Sequence, residues 1–320
     1  MKKSYIILAH HLPSHLKRLI LALSDRESDF HVHVDLKTDL TSFTDLISME
    51  NVNFVADRFV CSWGGFSLVD ATLSLFRSFL SSKVSSEYVI FLSGQHYPLV
   101  SNEKINAFLE AKKGTNFQST WSVDHAWTPL EREVRSKFYR FEFSSERGDF
   151  VCVPHIGSEY LYEDYYFNGL QRLLADQRFD LAFKNKVLKT ISAPRQLPQI
   201  PMFRGSQWFC FTSDMVAKMM AFLDGNSEFM EYFKFTHIPD EILFATSIKF
   251  LQSQDPSILI EGELTYIDWT SGRQFPTVFE KDDFPSLVEA SHKYLFARKF
   301  DEDISIEALD MIDDLRGASV

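Results

Sequence analysis

Two adjacent carboxylates, Asp240 and Glu241, follow Pro239 in the run FTHIPDEILFATSI. Proline suits a first helical turn, and acids there are favoured by the helix dipole. If one of them projects into a cleft, it could take a proton from a hydroxyl as that oxygen attacks; spacing alone leaves the structural and catalytic readings both open. A second group is HVHVDLKTD, where a two-residue repeat puts His31, His33 and Asp35 on one strand face and Val32 and Val34 on the other. Those three could ligate a metal, could form the polar face of a half-buried strand, or could leave Asp35 at the strand end to meet a nucleotide base or ribose. Cations come late in the chain, with Arg273 in IDWTSGRQFP and Lys299 in LFARKFDED. Arginine makes paired hydrogen bonds to phosphate and lysine supplies a compact charge, so the two could hold a diphosphate. Solvated surface charges fit the same residues.

Two further segments place polar or flexible residues at the ends of apolar runs. SWGGFSLVDATLSLF sets Gly64 and Gly65 before Leu68, Ala71, Leu75 and Phe79 at helical spacing, so backbone could approach a ligand there. It is neither a GxGxxG nor a Walker loop. FLSGQHYPL ends a buried run with Ser93, Gly94 and His96, at the end of a strand where α/β sheets hold their ligands. Trp121, Trp127 and Trp269 would suit a sugar-binding surface.

The elements that must position these residues alternate. Strand-like runs at Tyr5 to Ala9, His31 to Asp35, Asn53 to Val55 and Tyr88 to Leu92 are separated by helical patterns at His15 to Leu23 and Ser67 to Phe79. That order predicts βαβ crossovers and a mostly parallel sheet flanked by helices. We divide one continuous domain, 1–320, into a nucleotide-binding βαβ half at 1–112, an irregular insertion at 113–200 and an acceptor or catalytic half at 201–320. The last part holds a strand at Gln207 to Thr212, helices near Asp214 to Leu223 and Glu241 to Phe250, a strand at Leu264 to Trp269 and a final helix after Phe300.

The chain has 320 residues, 45% of them hydrophobic, which is ample for a large α/β core. Its net charge of -11 argues against nucleic acid as a partner, since phosphate backbones need concentrated Lys and Arg. Three widely spaced cysteines, Cys61, Cys152 and Cys210, suggest neither a disulfide framework nor a thiolate zinc site. The start MKKSYIILAHH reads as a strand, because its apolar run is too short for a signal peptide. No stretch approaches the roughly 20 apolar residues of a membrane span. A cytoplasmic protein, with at most peripheral contact at the inner membrane face, is expected.

Taken in order, YIILAHH, HVHVD, SWGG, FLSGQHYPL, GSQWFCFT, PDEILFAT and LFARKFD resemble the core-2/I-branching N-acetylglucosaminyltransferases and the related peptide O-xylosyltransferases, glycosyltransferase family 14. The resemblance implies a GT-A-like α/β fold and an inverting transfer from a UDP-sugar, N-acetylglucosamine or xylose. It implies no metal cofactor, basic side chains meeting the leaving diphosphate instead. The acceptor would be a glycan or lipid-linked oligosaccharide, as in polysaccharide biosynthesis. By motif, Glu241 falls on the general base, and Arg273 with Lys299 on the diphosphate pair. Ala9, His10, His11, Asp35 and Lys37 fall on nucleotide contacts, and Gly205, Ser206 and Trp208 on the segment beside the sugar. Glu131, Arg132 and Arg135 lie where acceptor-binding charges are expected, with Trp269 as a further substrate contact. His96 departs from the family pattern, which carries an acid at that place. A non-catalytic carbohydrate-binding relative is the competing expectation.

Overall fold

The computed structural model describes residues 1–82, 85–270, 272–273 and 276–317. Ser271, Gln274 and Phe275, around the GRQFP segment, lie outside them. In chain order the strands are β1 Lys3–Ala9, β2 Ser28–Val34, β3 Val52–Phe54, β4 Tyr88–Ser93, β5 His96–Pro98, β6 Thr115–Phe117, β7 Thr120–Ser122, β8 Tyr139–Glu142, β9 Phe150–Val153, β10 Phe203–Gly205, β11 Cys210–Thr212, β12 Leu259–Glu261, β13 Thr265–Ile267 and β14 Phe296–Arg298. Seven of these form the central sheet in the order β12-β6-β11-β4-β1-β2-β3. β1 runs parallel to β2 and β4, β2 to β3 and β12 to β6, while β11 is antiparallel to both β4 and β6. The sheet is therefore mixed, with one reversed strand, within an α/β architecture consistent with a GT-A-like arrangement.

Alternation along the strands explains the two layers. Tyr5 and Ile7 of β1 enter one apolar cluster with Leu16, Leu19 and Leu23 of the Pro13–Leu23 helix. Ile6 enters the other, with Val69 and Phe76 of the Ser67–Ser81 helix and Leu243 and Phe244 of the Asp240–Gln254 helix. A strand buried on both faces reads as a continuous apolar run, as YIILA does. Helices thus cover both faces, and the carboxyl ends of β1, β2 and β4 open on one edge.

The segment expected to be an irregular insertion has its own construction. β8 and β9 pair antiparallel, and Tyr139, Phe141, Val151 and Val153 pack with Leu170, Leu173, Val187 and Ile191 into a separate small core. Its elements are short, so no long periodic run advertises them. Beside the main sheet, β13, β14 and β5 form a three-stranded sheet in which Arg298 registers with His96. No helix among the described residues is long and apolar enough to cross a membrane.

Candidate active site

Glu241 stands in the first turn of the Asp240–Gln254 helix, half-buried. Its carboxylate makes no hydrogen bond or ion pair with a described residue. Burial pushes its pKa above the usual carboxylate value, while the charges of Arg135 and Arg204 pull it back. Asp240, beside it, is buried inside the helix start, with Oδ1 lacking a hydrogen-bond partner among the described residues. Burial, and then the Glu241 charge, push Asp240 up to about 7. Of the two carboxylates, Glu241 is the more exposed.

The approach to this helix is fixed by the SWGG segment. Ile238 has φ 57, and its N–H donates to the Gly64 carbonyl at 2.8 Å. Gly64 itself has φ 68, a conformation that costs glycine little. Arg140 of β8 sits under this junction: its guanidinium donates to His237 Nδ1 at 2.7 Å and to the Trp63 carbonyl at 2.9 Å, and lies 3.8 Å over the Phe150 ring. Burial and the Arg140 charge hold His237 down to about 3, so its imidazole is neutral at any working pH.

Of the three charges anticipated in the insertion, each has a different task. Glu131 forms a capping box with Thr128 at a helix start. Arg132 pairs with Asp124 at 3.0 Å. Arg135 has no such partner among the described residues; it lies 4.8 Å over the Trp127 ring and shares an electrostatic environment with Glu241. Arg204, absent from the sequence reading, joins it from β10, stacked 5.4 Å over Trp121, with its Nε buried and unpartnered. Trp121 also lines a groove of about 340 Å³ together with Lys249, Gln252 and Glu261.

The GSQW segment acts mainly through packing. A Cβ on Gly205 would lie 2.9 Å from the Ala245 Cβ, so glycine lets β10 press against the Glu241 helix. The Ser206 hydroxyl accepts from the Trp208 N–H, and its carbonyl accepts from Gln118. Trp208 is buried between His96, at 4.7 Å, and Phe91, at 5.3 Å. His96 is fully buried, its Nδ1 accepting from the Ser93 N–H at 2.9 Å, which leaves the proton on Nε2, where it finds no partner. Burial and the Arg298 charge keep this ring neutral, well below the usual histidine range.

At the carboxyl ends of the strands the nucleotide candidates gather. The Asp35 N–H donates to the Ala9 carbonyl at 2.8 Å, and the Asp35 carboxylate accepts from the Lys37 and Cys61 N–H groups. Lys37 lies 3.6 Å from Asp35 and donates to the Cys61 and Ser145 carbonyls. His10 and His11 stack at 3.9 Å, and both sense the Lys299 charge. Loss of solvent, and then His11, hold His10 down to about 4.

His31 and His33 serve the strand itself. His31 meets Ser78 and Asp29, each at 2.8 Å, and His33 Nε2 accepts from the Phe59 N–H at 3.0 Å. Among the described residues no group of three or more His, Cys, Asp or Glu is placed to hold a metal ion.

Lys299 and Arg273 are in different settings. Arg273 is exposed and held by Asp283 at 2.6 Å and Glu280 at 3.3 Å. Lys299 is half-buried without an ion pair among the described residues, and the charges acting on it are Arg298, Arg147 and Asp301. Arg298, also free of any carboxylate among the described residues, lies 5.0 Å over Trp208 and donates to Ser93 Oγ at 3.3 Å. Burial brings its pKa down to about 10, with Arg147 adding to the shift. The His237 ring meets Trp63 edge-on at 6.1 Å, and the Arg147 guanidinium lies 5.2 Å over the same ring. Trp269 is exposed beyond β13. The tandem ARK of LFARKFD could have signalled Arg298; nothing in the sequence distinguishes Arg147.

Comparison with known proteins finds similar sequences. Xylosyltransferase 2 of Rattus norvegicus is 23% identical over 332 residues, covering 97% of this chain and 33% of that protein. Xylosyltransferase 2 of Homo sapiens is 23% identical over 320 residues, covering 93% and 31%. Xylosyltransferase oxt of Drosophila pseudoobscura pseudoobscura is 34% identical over 104 residues, covering 31% and 12%. The chain spans about a third of the length of the first two relatives. Among solved structures, a 4-diphosphocytidyl-2C-methyl-D-erythritol synthase from Anaerococcus prevotii covers 91% of this chain and 95% of its own, at a TM-score of 0.38 and 10% identity, too distant to carry an argument. The sequence model of the core-2/I-branching enzymes matches residues 4–145 and 166–290, a span that takes in SWGG, the strand ends and the Glu241 helix alike. On that match the chain belongs to the core-2/I-branching enzyme family.

Proposed function

We propose that this chain transfers a sugar from a UDP-sugar to a hydroxyl of a glycan or lipid-linked oligosaccharide, with inversion at the anomeric carbon and Glu241 as general base. The observation that carries the reading is the presence of two groups of unpaired charge. One is the half-buried Glu241 carboxylate, without hydrogen bonds among the described residues and acted on by Arg135 and Arg204; the other is Arg298 and Lys299, cations with no acid bound to them among the described residues.

In the proposed reaction Glu241 takes the acceptor hydroxyl proton as that oxygen forms its bond to the anomeric carbon. The bond from that carbon to the diphosphate oxygen breaks with its electron pair, and UDP departs. Charge growing on the diphosphate is met by Arg298 and Lys299, fixed beforehand at the strand ends, so the reading calls for no metal. Ala9, His10, His11, Asp35 and Lys37 border the nucleotide in this reading, and Gly205, Ser206, Trp208 and His96 border the sugar. The resemblance gives Arg273 a share in the diphosphate; its ion pairs with Asp283 and Glu280 lead us to rest that share on Arg298 instead. Arg135, Arg204 and Trp121 face the acceptor, with Trp269 as an outlying sugar contact. Three free cysteines suit a reducing compartment, and we place the reaction in the cytoplasm, with peripheral contact at the membrane where the acceptor is lipid-linked.

N-acetylglucosamine is the first donor sugar to try. Xylose is the second, because the curated relatives quoted above are xylosyltransferases. Calorimetric titration with UDP, GDP and CMP in chelator tests the nucleotide; selective UDP binding is expected. Product formation from UDP-N-acetylglucosamine or UDP-xylose in chelator then tests the transfer. Binding of no nucleotide, with or without added metal, would favour a carbohydrate-binding relative without catalysis.

A further inference from the structure

The two stretches matched by the family end at residue 145 and resume at 166. The turn between β8 and β9 straddles that boundary and carries Arg147. The turn is anchored on both sides. Lys37 donates to the Ser145 carbonyl at 3.2 Å and to the Cys61 carbonyl at 2.7 Å, tying the turn to the end of β2. Ser144 donates to the Asp149 carboxylate at 2.7 Å, and Arg172 holds that carboxylate at 2.6 Å. Arg147 itself makes no ion pair or hydrogen bond with a described residue. Its guanidinium lies 5.2 Å over Trp63, which fixes its direction, and its charge acts on both Arg298 and Lys299.

Three cations are thus gathered in a chain of net charge -11. Among the described residues, Asp301, whose charge acts on Lys299, forms no ion pair with Arg147, Arg298 or Lys299; in Arg147's own turn Asp149 is taken up by Arg172 and Arg178, and Glu146 forms no ion pair with Arg147. Like charges held together repel unless an anion joins them. We infer that Arg147 is a third diphosphate-binding residue of the donor site, delivered by a turn at the break in the family match. The inference rests on the proposed function for the identity of the anion as a nucleoside diphosphate. Arginine suits the task, since its planar fork can bond two phosphate oxygens while its face remains on the tryptophan.

The test is calorimetry of the full chain and of Arg147→Ala and Arg147→Lys, with UDP, uridine and inorganic pyrophosphate, at two salt concentrations. Arg147 is exposed, so the variants are expected to fold as the wild type does. UDP affinity should fall at least about fivefold in Arg147→Ala, with a weaker salt dependence, and recover in part in Arg147→Lys. Uridine affinity should be unchanged. Equal UDP affinity in wild type and Arg147→Ala would overturn the inference and leave the proposed function standing. Pyrophosphate binding without UDP binding, lost in Arg147→Ala, would overturn the nucleotide reading while supporting Arg147 as an anion ligand. Binding of neither by the wild type would overturn both.

Discussion

Ile238 and Gly64 face each other across one hydrogen bond, 2.8 Å from the Ile238 N–H to the Gly64 carbonyl, and both have left-handed backbone, at φ 57 and 68. A β-branched residue in that region is strained, and strain of this kind persists only where the surroundings over-determine it. Here Arg140, Trp63 and the Glu241 helix supply those surroundings. A Cβ on Gly64 would also meet Ile238 Cγ1 at 3.1 Å. Gly64→Ala should therefore cost about 1 to 2 kcal/mol of stability in a denaturant melt. Wild-type stability would mean that the junction relaxes freely.

Glu241→Gln keeps the side chain's size and removes its ability to accept a proton. Turnover should drop by at least about a hundredfold, with UDP affinity held within about twofold. Comparable turnover in the variant would remove Glu241 from the chemistry.

Arg135 stabilises the ionised form of Glu241. Without it the Glu241 pKa rises further, and the active, deprotonated form appears only at higher pH. The acid limb of kcat/KM against pH should shift upward by about half a unit to one unit in Arg135→Ala. An unmoved limb would separate Arg135 from the base electrostatically.

Asp240 supplies a stability signature. Its folded pKa, pushed up to about 7, lies above the ordinary carboxylate value, so the folded state holds this proton more tightly than the unfolded chain. That contribution is complete below the ordinary pKa and is lost as pH rises through about 7. Asp240→Asn, neutral throughout, should match the wild type within about 1 kcal/mol at pH 4. It should exceed the wild type by on the order of 1 to 3 kcal/mol above pH 8. Parallel stability curves across that range would show that Asp240 is ionised or solvated throughout.

The cations divide into two classes by their partners. Lys299→Ala and Arg298→Ala should each weaken UDP binding by roughly 1 to 2 kcal/mol. Arg273→Ala should change it less than about twofold, because that guanidinium is already occupied by Asp283. A loss in Arg273→Ala equal to that in Lys299→Ala would show that nucleotide draws Arg273 away from its acids.

The parallel part of the fold was legible because β1, β2 and β4 are buried on both faces and the helices between them are amphipathic, so local pattern and final structure agree. The direction of β11 was not: three residues, Cys210 to Thr212, carry no information about which way they will run between β4 and β6. Proline and an acid pair mark a helix start but do not choose between Asp240 and Glu241; it was the resemblance carried by PDEILFAT that pointed to Glu241. Arg204 and Arg147 could not be singled out, since their significance lies in having no partner acid among the described residues, which only the packed chain reveals. Among Glu131, Arg132 and Arg135 the choice required geometry, because capping and surface pairing use up the first two.

Reversal of β11 has a consequence for how this chain can vary. Phe117 ends β6 opposite Cys210, which begins β11, and just beyond them Thr120 to Ser122 of β7 pair antiparallel with Phe203 to Gly205 of β10 in a separate two-stranded sheet. Residues 118–209 therefore leave and re-enter the sheet at a single point, as the oversized loop of one hairpin. Arg135, Arg140, Arg147 and Arg204 all ride on that loop, whereas Glu241 and Lys299 belong to the frame. Loop length is cheap in closure entropy. Exchanging that loop for another between the same two strands would therefore alter both charged groups at once, because it brings Arg135 and Arg204 to Glu241 and Arg147 to Arg298 and Lys299.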